Sequence, residues 1–290
     1  MSVVIQHVSH TFASPGLPPT PVLHVIPELS LRPGEQILLR GISGSGKTTL
    51  FNILAGLLRP TAGEVIIDGQ PLYALSEAQR DKFRAQRIGY VFQQHHLLPM
   101  LTAEENVMMP LAFGGVALAE RRGRATELLA AVGLSAHAHH RPAQLSTGQR
   151  LRVAVARALA ARPRLVLADE PTAALDAAAS EQVLELLTTT CRAQQAILVV
   201  ASHDPALHHR FGRIWNLTQG TLRDETPTPL NPNPNPQSKI PCTLVPRMAQ
   251  PPRPPHPDRH HHSGRQLSPW PLCHHRRFGR CNSPRGDSGQ

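Results

Sequence analysis

Eight residues constrain this chain more than any other stretch: Gly41-Ile-Ser-Gly-Ser-Gly-Lys-Thr48. They match the spacing G-x-x-x-x-G-K-[ST], follow an apolar run at Gln36–Arg40 and open a helical pattern over 47–58. In a chain of this composition, chance supplies about 0.002 such matches. The glycines let backbone N–H groups curl around a β-phosphate, and the helix that follows turns its positive dipole end to the same point. Lys47 then reaches the β- and γ-phosphates, and the Thr48 hydroxyl is a ligand for Mg²⁺. The prediction is a strand–loop–helix nucleotide site.

Around this motif, short β-branched runs alternate with longer helical patterns, so the fold class is α/β with mainly parallel strands. Strands are expected at 3–8, Gln36–Arg40, 64–68, 89–92, 165–168 and 197–202. The segment 47–58 puts Leu50, Phe51, Ile53, Leu54, Leu57 and Leu58 on one broad face, as a helix packed on a sheet does. Residues 14–21 hold four prolines and read as a loop. From 94 to 149 the strand signal stops. Helical patterns at 103–109 and 119–132 predict a helical insertion in the α/β core.

Charge and proline divide the chain. Residues 1–224 carry 21 Lys+Arg against 17 Asp+Glu, net +4, while residues 225–290 carry 9 against 3, net +6, with 15 of the 29 prolines. Much of the basic excess therefore belongs to the tail, and no nucleic-acid partner is expected from it. The tail runs Thr-Pro-Thr-Pro-Leu-Asn-Pro-Asn-Pro-Asn-Pro and lacks the apolar content to offset chain entropy. We expect a folded domain over 1–224 and a disordered Pro/Arg/His-rich tail over 225–290. His260–His262 and the group Cys273, His274, His275 and Cys281 lack paired Cys-x₂-Cys spacing, so no metal site is expected there. With 27 Arg against 3 Lys overall, the tail reads as the product of a GC-rich gene in a shifted frame, without function. The longest unbroken apolar run, 196–201, is far below the roughly 20 residues that span a bilayer. The start, Met1-Ser-Val-Val-Ile-Gln-His, has no secretory pattern, and Cys191 is the one cysteine before the tail, so a reducing cytoplasm is expected.

Leu165-Val-Leu-Ala-Asp169-Glu170 is an apolar strand ending in two acids. A carboxylate at a strand end beside the phosphate loop holds Mg²⁺, which suits Asp169, and Glu170 is then placed to deprotonate an attacking water. Leu145-Ser-Thr-Gly-Gln149 introduces a helical run over 150–161. With these elements in order, the chain resembles the ATP-binding-cassette ATPases, the nucleotide-binding subunits of ABC transporters. The family signature is usually Leu-Ser-Gly-Gly-Gln, so Thr147 is a departure at its middle position.

The resemblance covers residues 1 to about 224. It implies a P-loop NTPase core with an N-terminal antiparallel β portion and an inserted helical subdomain at about 94–150. It implies ATP on Gly41, Ile42, Ser43, Gly44, Ser45, Gly46, Lys47, Thr48 and Thr49, with Phe12 stacked on adenine, where tyrosine is common. Gln93 resembles the hinge glutamine that contacts Mg²⁺ or the attacking water, giving Thr48, Gln93 and Asp169 as the metal set. His203 resembles the switch histidine that contacts the γ-phosphate. Ser146, Thr147, Gly148 and Gln149 would act on the ATP of a second, head-to-tail subunit, a homodimer in the simplest case, and Asp176 would carry communication between subunits. Residues 68–76, 83–99 and 104–107 resemble the branch with the lipoprotein-release, macrolide-export and cell-division cassettes. That branch implies a separate membrane permease, met by residues 95–100, and peripheral attachment to the inner face of the cell membrane. An uptake cassette for amino acids or metals remains an alternative. A non-transport ABC ATPase would carry two cassettes or a coiled-coil insertion, and this chain has neither.

Overall fold

The parallel strands declare themselves by being apolar on both faces, which is what a sheet covered on two sides requires. In β4 (Gln36–Arg40), Ile37 and Leu39 face one core while Leu38 faces another. β8 (Leu165–Asp169) and β9 (Ile197–Ala201) alternate in the same way. The computed structural model describes residues 2–225 apart from Ser14, Leu17 and Ala174. The tail from 226 onward, with the disorder, histidine and cysteine expectations placed on it, lies outside the described residues.

Six strands form the main sheet in the order β11-β10-β4-β9-β8-β7, where β7 is Ile88–Val91, β10 is Arg213–Thr218 and β11 is Thr221–Asp224. All its pairs are parallel except the β10–β11 hairpin. A second, antiparallel sheet is built from β1 (Val3–Phe12), β2 (Thr20–Leu23), β5 (Ala62–Ile67) and β6 (Gln70–Pro71), with β3 (Leu29–Leu31) paired to β1. Helix α1 (Lys47–Leu54) shares a core with this second sheet and one face of the main one, through Phe51, Leu54, Val65 and Trp215. On the other face lie α3 (Ala103–Phe113), α4 (Leu118–Ala131), α5 (Thr147–Leu159) and α6 (Ala177–Ala193), around Val107, Leu129, Val155 and Leu184.

The boundaries moved for local reasons. α1 stops at Leu54, short of the expected 58, because Gly56 turns left-handed (φ 72°) and Leu57 and Leu58 both donate back to Asn52 O. β2 begins inside the proline-rich stretch; it is an edge strand, where Pro21 removes no needed ladder bond. β2, β3, β6, β10 and β11 are too short or too mixed to read as strands from pattern alone. α2 (Glu77–Arg87) buries no residue, so hydrophobic periodicity could not find it; its legible mark is the capping box of Ser76 and Gln79. Between β7 and β8 the chain makes helices and turns without a strand, as the missing strand signal implied. Among the described residues no helix is long and apolar enough to cross a membrane.

Candidate nucleotide site

Carboxyl ends of parallel strands are where an α/β sheet presents its loops to a ligand, and four strands converge here. β4 runs straight into Gly41, which has no room for a side chain: a Cβ would lie 2.4 Å from Leu217 O. Gly46 caps α1 at φ 102°, with Leu23 Cδ2 2.9 Å from where a Cβ would sit. Both positions need glycine. The Lys47 stem is buried, and its ammonium donates to Gly41 O (2.7 Å) and Ile42 O (3.1 Å), closing the loop on itself.

The next two strands bring the acids and the histidine. Thr48 Oγ1 donates to Asp169 Oδ2 at 2.9 Å across 121 residues of sequence. Asp169 is buried, and that burial pushes its carboxyl above the ordinary carboxylate range while the Thr48 bond pulls it back. Glu170 follows in a left-handed conformation (φ 48°), a strained state for a residue with a Cβ; its N–H donates to Ala201 O on the neighbouring strand. Glu170 Oε1 lies 2.9 Å from Nδ1 of the mostly exposed His203, just past β9. An ionised carboxylate only accepts, so the Nδ1 proton is the one shared.

These groups line one cavity of about 620 Å³. Its walls are Ile42, Ser43, Gly44, Gly46, Lys47, Thr48, Thr49, Gln93, Asp169, Glu170 and His203, with Phe12 and Val22 at one side. Phe12, at the end of β1, is 46% exposed, and His10 packs edge-on against its ring at 4.5 Å. Gly41 and Ser45 belong to the loop without lining the cavity. Val22 is the lining residue that sequence reasoning missed; it sits on β2, inside an unrecognised strand. The Thr48 hydroxyl and Asp169 carboxylate are hard oxygen donors held together, which suits Mg²⁺, an ion bound through one or two carboxylates with neutral oxygens, water and phosphate completing its shell. Among the described residues no cluster of three or more His, Cys, Asp or Glu offers a closed metal cage.

Ser146, Thr147, Gly148 and Gln149 do not line this cavity. They form the N-terminus of α5 instead. Ser146 Oγ accepts from Gln149 N–H (3.2 Å) and Gln149 Oε1 accepts from Ser146 N–H (2.9 Å), a closed capping box. Thr147 takes the first helical position without strain, its Oγ1 accepting from Arg150 Nη2 at 3.1 Å. Gly148 faces Leu175, whose Cδ2 would be 3.1 Å from a Cβ there. Asp176 is the N-cap of α6, accepting from Ala179 N–H at 2.8 Å.

A family profile described as ABC transporter matches residues 26–173, which include the phosphate loop, the α5 cap and the acidic pair. This chain belongs to the ABC transporter family. The lipoprotein-releasing system ATP-binding protein LolD of Xanthomonas euvesicatoria pv. vesicatoria (strain 85-10) is 47% identical over 209 residues, which is 72% of this chain and 85% of the relative. LolD of Xanthomonas campestris pv. campestris (strain 8004) is 44% identical over 223 residues, 77% of this chain and 92% of the relative. Among solved structures, the ATP-binding cassette MJ0796, dimeric and bound to ADP and Pi, is 40% identical with a TM-score of 0.72, covering 77% of this chain and 98% of that one. The protein described here is thus an ABC ATPase, an ATP-hydrolysing nucleotide-binding subunit of a transporter.

Proposed function

We propose that this ABC ATPase powers an export machine of the lipoprotein-releasing kind, working as a head-to-tail homodimer beneath a membrane permease. The observation that carries the catalytic part is the meeting of Lys47, the Thr48–Asp169 pair and the Glu170–His203 pair in one cavity. The likeness to LolD carries the choice of cargo.

In this reading Phe12 stacks on adenine with its exposed ring face. The amides of residues 41–49 wrap the β-phosphate, and Lys47 leaves the Gly41 and Ile42 carbonyls for the β- and γ-phosphate oxygens. Thr48, Asp169 and Gln93 would hold Mg²⁺, which would supply neutralisation of the charge developing on the phosphate oxygens. Glu170 takes a proton from the attacking water, and His203, oriented by Glu170, donates to the γ-phosphate. Ser146, Thr147, Gly148 and Gln149 present the N-terminus of α5 to the partner's γ-phosphate, where a helix dipole favours negative charge. Asp176 acts at the same interface. Gln93 passes the state of the nucleotide to residues 95–100, the landing place for the permease, which holds the enzyme at the cytoplasmic face of the membrane. With the ATPase domain placed at residues 1–224, removing 225–290 leaves turnover and permease binding intact.

Light scattering of the Glu170→Gln full chain tests the reading. A dimer that forms with Mg-ATP and dissolves on nucleotide removal is the expected result. A monomer under both conditions, with nucleotide bound, rejects the sandwich.

A further inference from the structure

His95 and His96 are consecutive non-glycine residues at φ 62° and 44°, a left-handed pair that side chains disfavour. Local bonds shape the turn: His95 N–H donates to Phe92 O (2.9 Å) and His96 N–H to Gln94 O (2.7 Å). The His96 ring stands edge-on to Phe92 at 5.0 Å. Both carbonyls of the pair meet a single guanidinium. Arg157, from α5, donates through Nη1 to His96 O (2.6 Å) and through Nη2 to His95 O (2.5 Å). The described ion pairs give Arg157 no carboxylate, and burial draws its pKa down to about 10. A desolvated cation whose donors go to two backbone carbonyls holds backbone geometry rather than balancing charge. The planar fork meets the two carbonyls through two separate nitrogens in fixed geometry, whereas a lysine at this position has to serve both from one nitrogen on a flexible stem.

The two ends of this link matter. The turn follows Gln93 directly, and α5 begins at the Ser146 cap. We propose that Arg157 is a positioning residue that holds the strained turn, keeps Gln93 in the nucleotide cavity and makes that loop move as one piece with the Ser146 end of α5. The inference rests on the roles given above to Gln93 and Ser146; the clamp itself stands on geometry alone.

Hydrogen exchange and ATP turnover of the full-chain Arg157→Lys variant test it. Exchange over residues 92–97 should rise at least tenfold while residues 147–159 stay at wild-type rates. Turnover should fall about tenfold in kcat with KM within twofold. Adding His95→Gly and His96→Gly should recover at least a third of the lost kcat, because glycine adopts φ > 0 without strain; a residue that merely fills space gains nothing when the turn it touches loses its strain. An unchanged loop, an equal rise throughout α5, or no rescue overturns the proposal. If Arg157→Lys does not fold, His95→Gly/His96→Gly with Arg157 intact decides: a protected turn supports the clamp, and a freely exchanging one refutes it. Gln93→Ala with wild-type turnover would overturn the reading of Gln93, while the exchange result would still judge the clamp.

Discussion

Replacing Thr48 by valine removes one hydroxyl and almost no volume, and so isolates the bond to Asp169. Among the described hydrogen bonds it is the one donated to that carboxylate, which is buried. A bond to a charged group contributes about 1.5–3 kcal/mol. Thr48 itself is exposed, so water reaches one side of the gap and the lower end, about 1.5–2 kcal/mol, applies. For a domain of about 225 residues the unfolding entropy near Tm is roughly 0.5 kcal/mol/K, so Thr48→Val should melt about 3–4 °C lower without nucleotide. A second effect separates structure from function. Mg-ATP at 100 times its Kd stabilises the wild type by about 2.7 kcal/mol, roughly 5–6 °C. In Thr48→Val the part of that shift abolished by EDTA should disappear, and turnover with it. Thr48→Ser restores the hydroxyl and should restore both. The assay is thermal melting with ATP, in Mg²⁺ and in EDTA. An unchanged Tm together with a full Mg²⁺ increment in Thr48→Val would refute the reasoning.

Three further outcomes follow from single residues. Gly89→Ala places a Cβ 2.2 Å from Ala158 O, backbone against strand, and should cost about 2–3 kcal/mol in urea unfolding; a loss under 0.5 kcal/mol would mean β7 and α5 separate easily. Thr147→Gly should leave turnover within about twofold, because the capping box on either side is intact; a wild type without activity whose Thr147→Gly variant hydrolyses ATP would contradict this. Glu105 accepts from Thr102 N–H at 2.8 Å, a bond that holds its carboxyl below the ordinary 4.5. A depressed carboxylate pKa adds stability above the unfolded value and loses it as pH falls through the folded one. The gap between wild type and Glu105→Gln should therefore be present at pH 7 and narrow as pH falls below 4.5, and a gap that does not change with pH would sink the cap's role.

Legibility followed the range of the physics. α3 and α5 could be placed because helical patterning is local, and both begin at capping boxes written three residues apart. β4, β8 and β9 were legible because strands buried on both faces need continuous apolar runs. β10 was not: Asn216 and an exposed Thr218 interrupt it, although it pairs with β4 through four residues. Val22 escaped for the same reason, since its strand gains its identity from pairing with the end of β1.

By itself the sequence determined the chemistry: a loop that wraps phosphate, two acids at a strand end and a helix cap, each specified by residues a few positions apart. Tertiary structure decided who meets whom. Thr48 reaches Asp169, Glu170 reaches His203 and Arg157 reaches the His95 and His96 carbonyls only because β9 lies between β4 and β8, and α5 lies under β7. Residue spacing encodes local geometry, whereas strand order is settled by how whole faces pack, and no short stretch of chain contains that information.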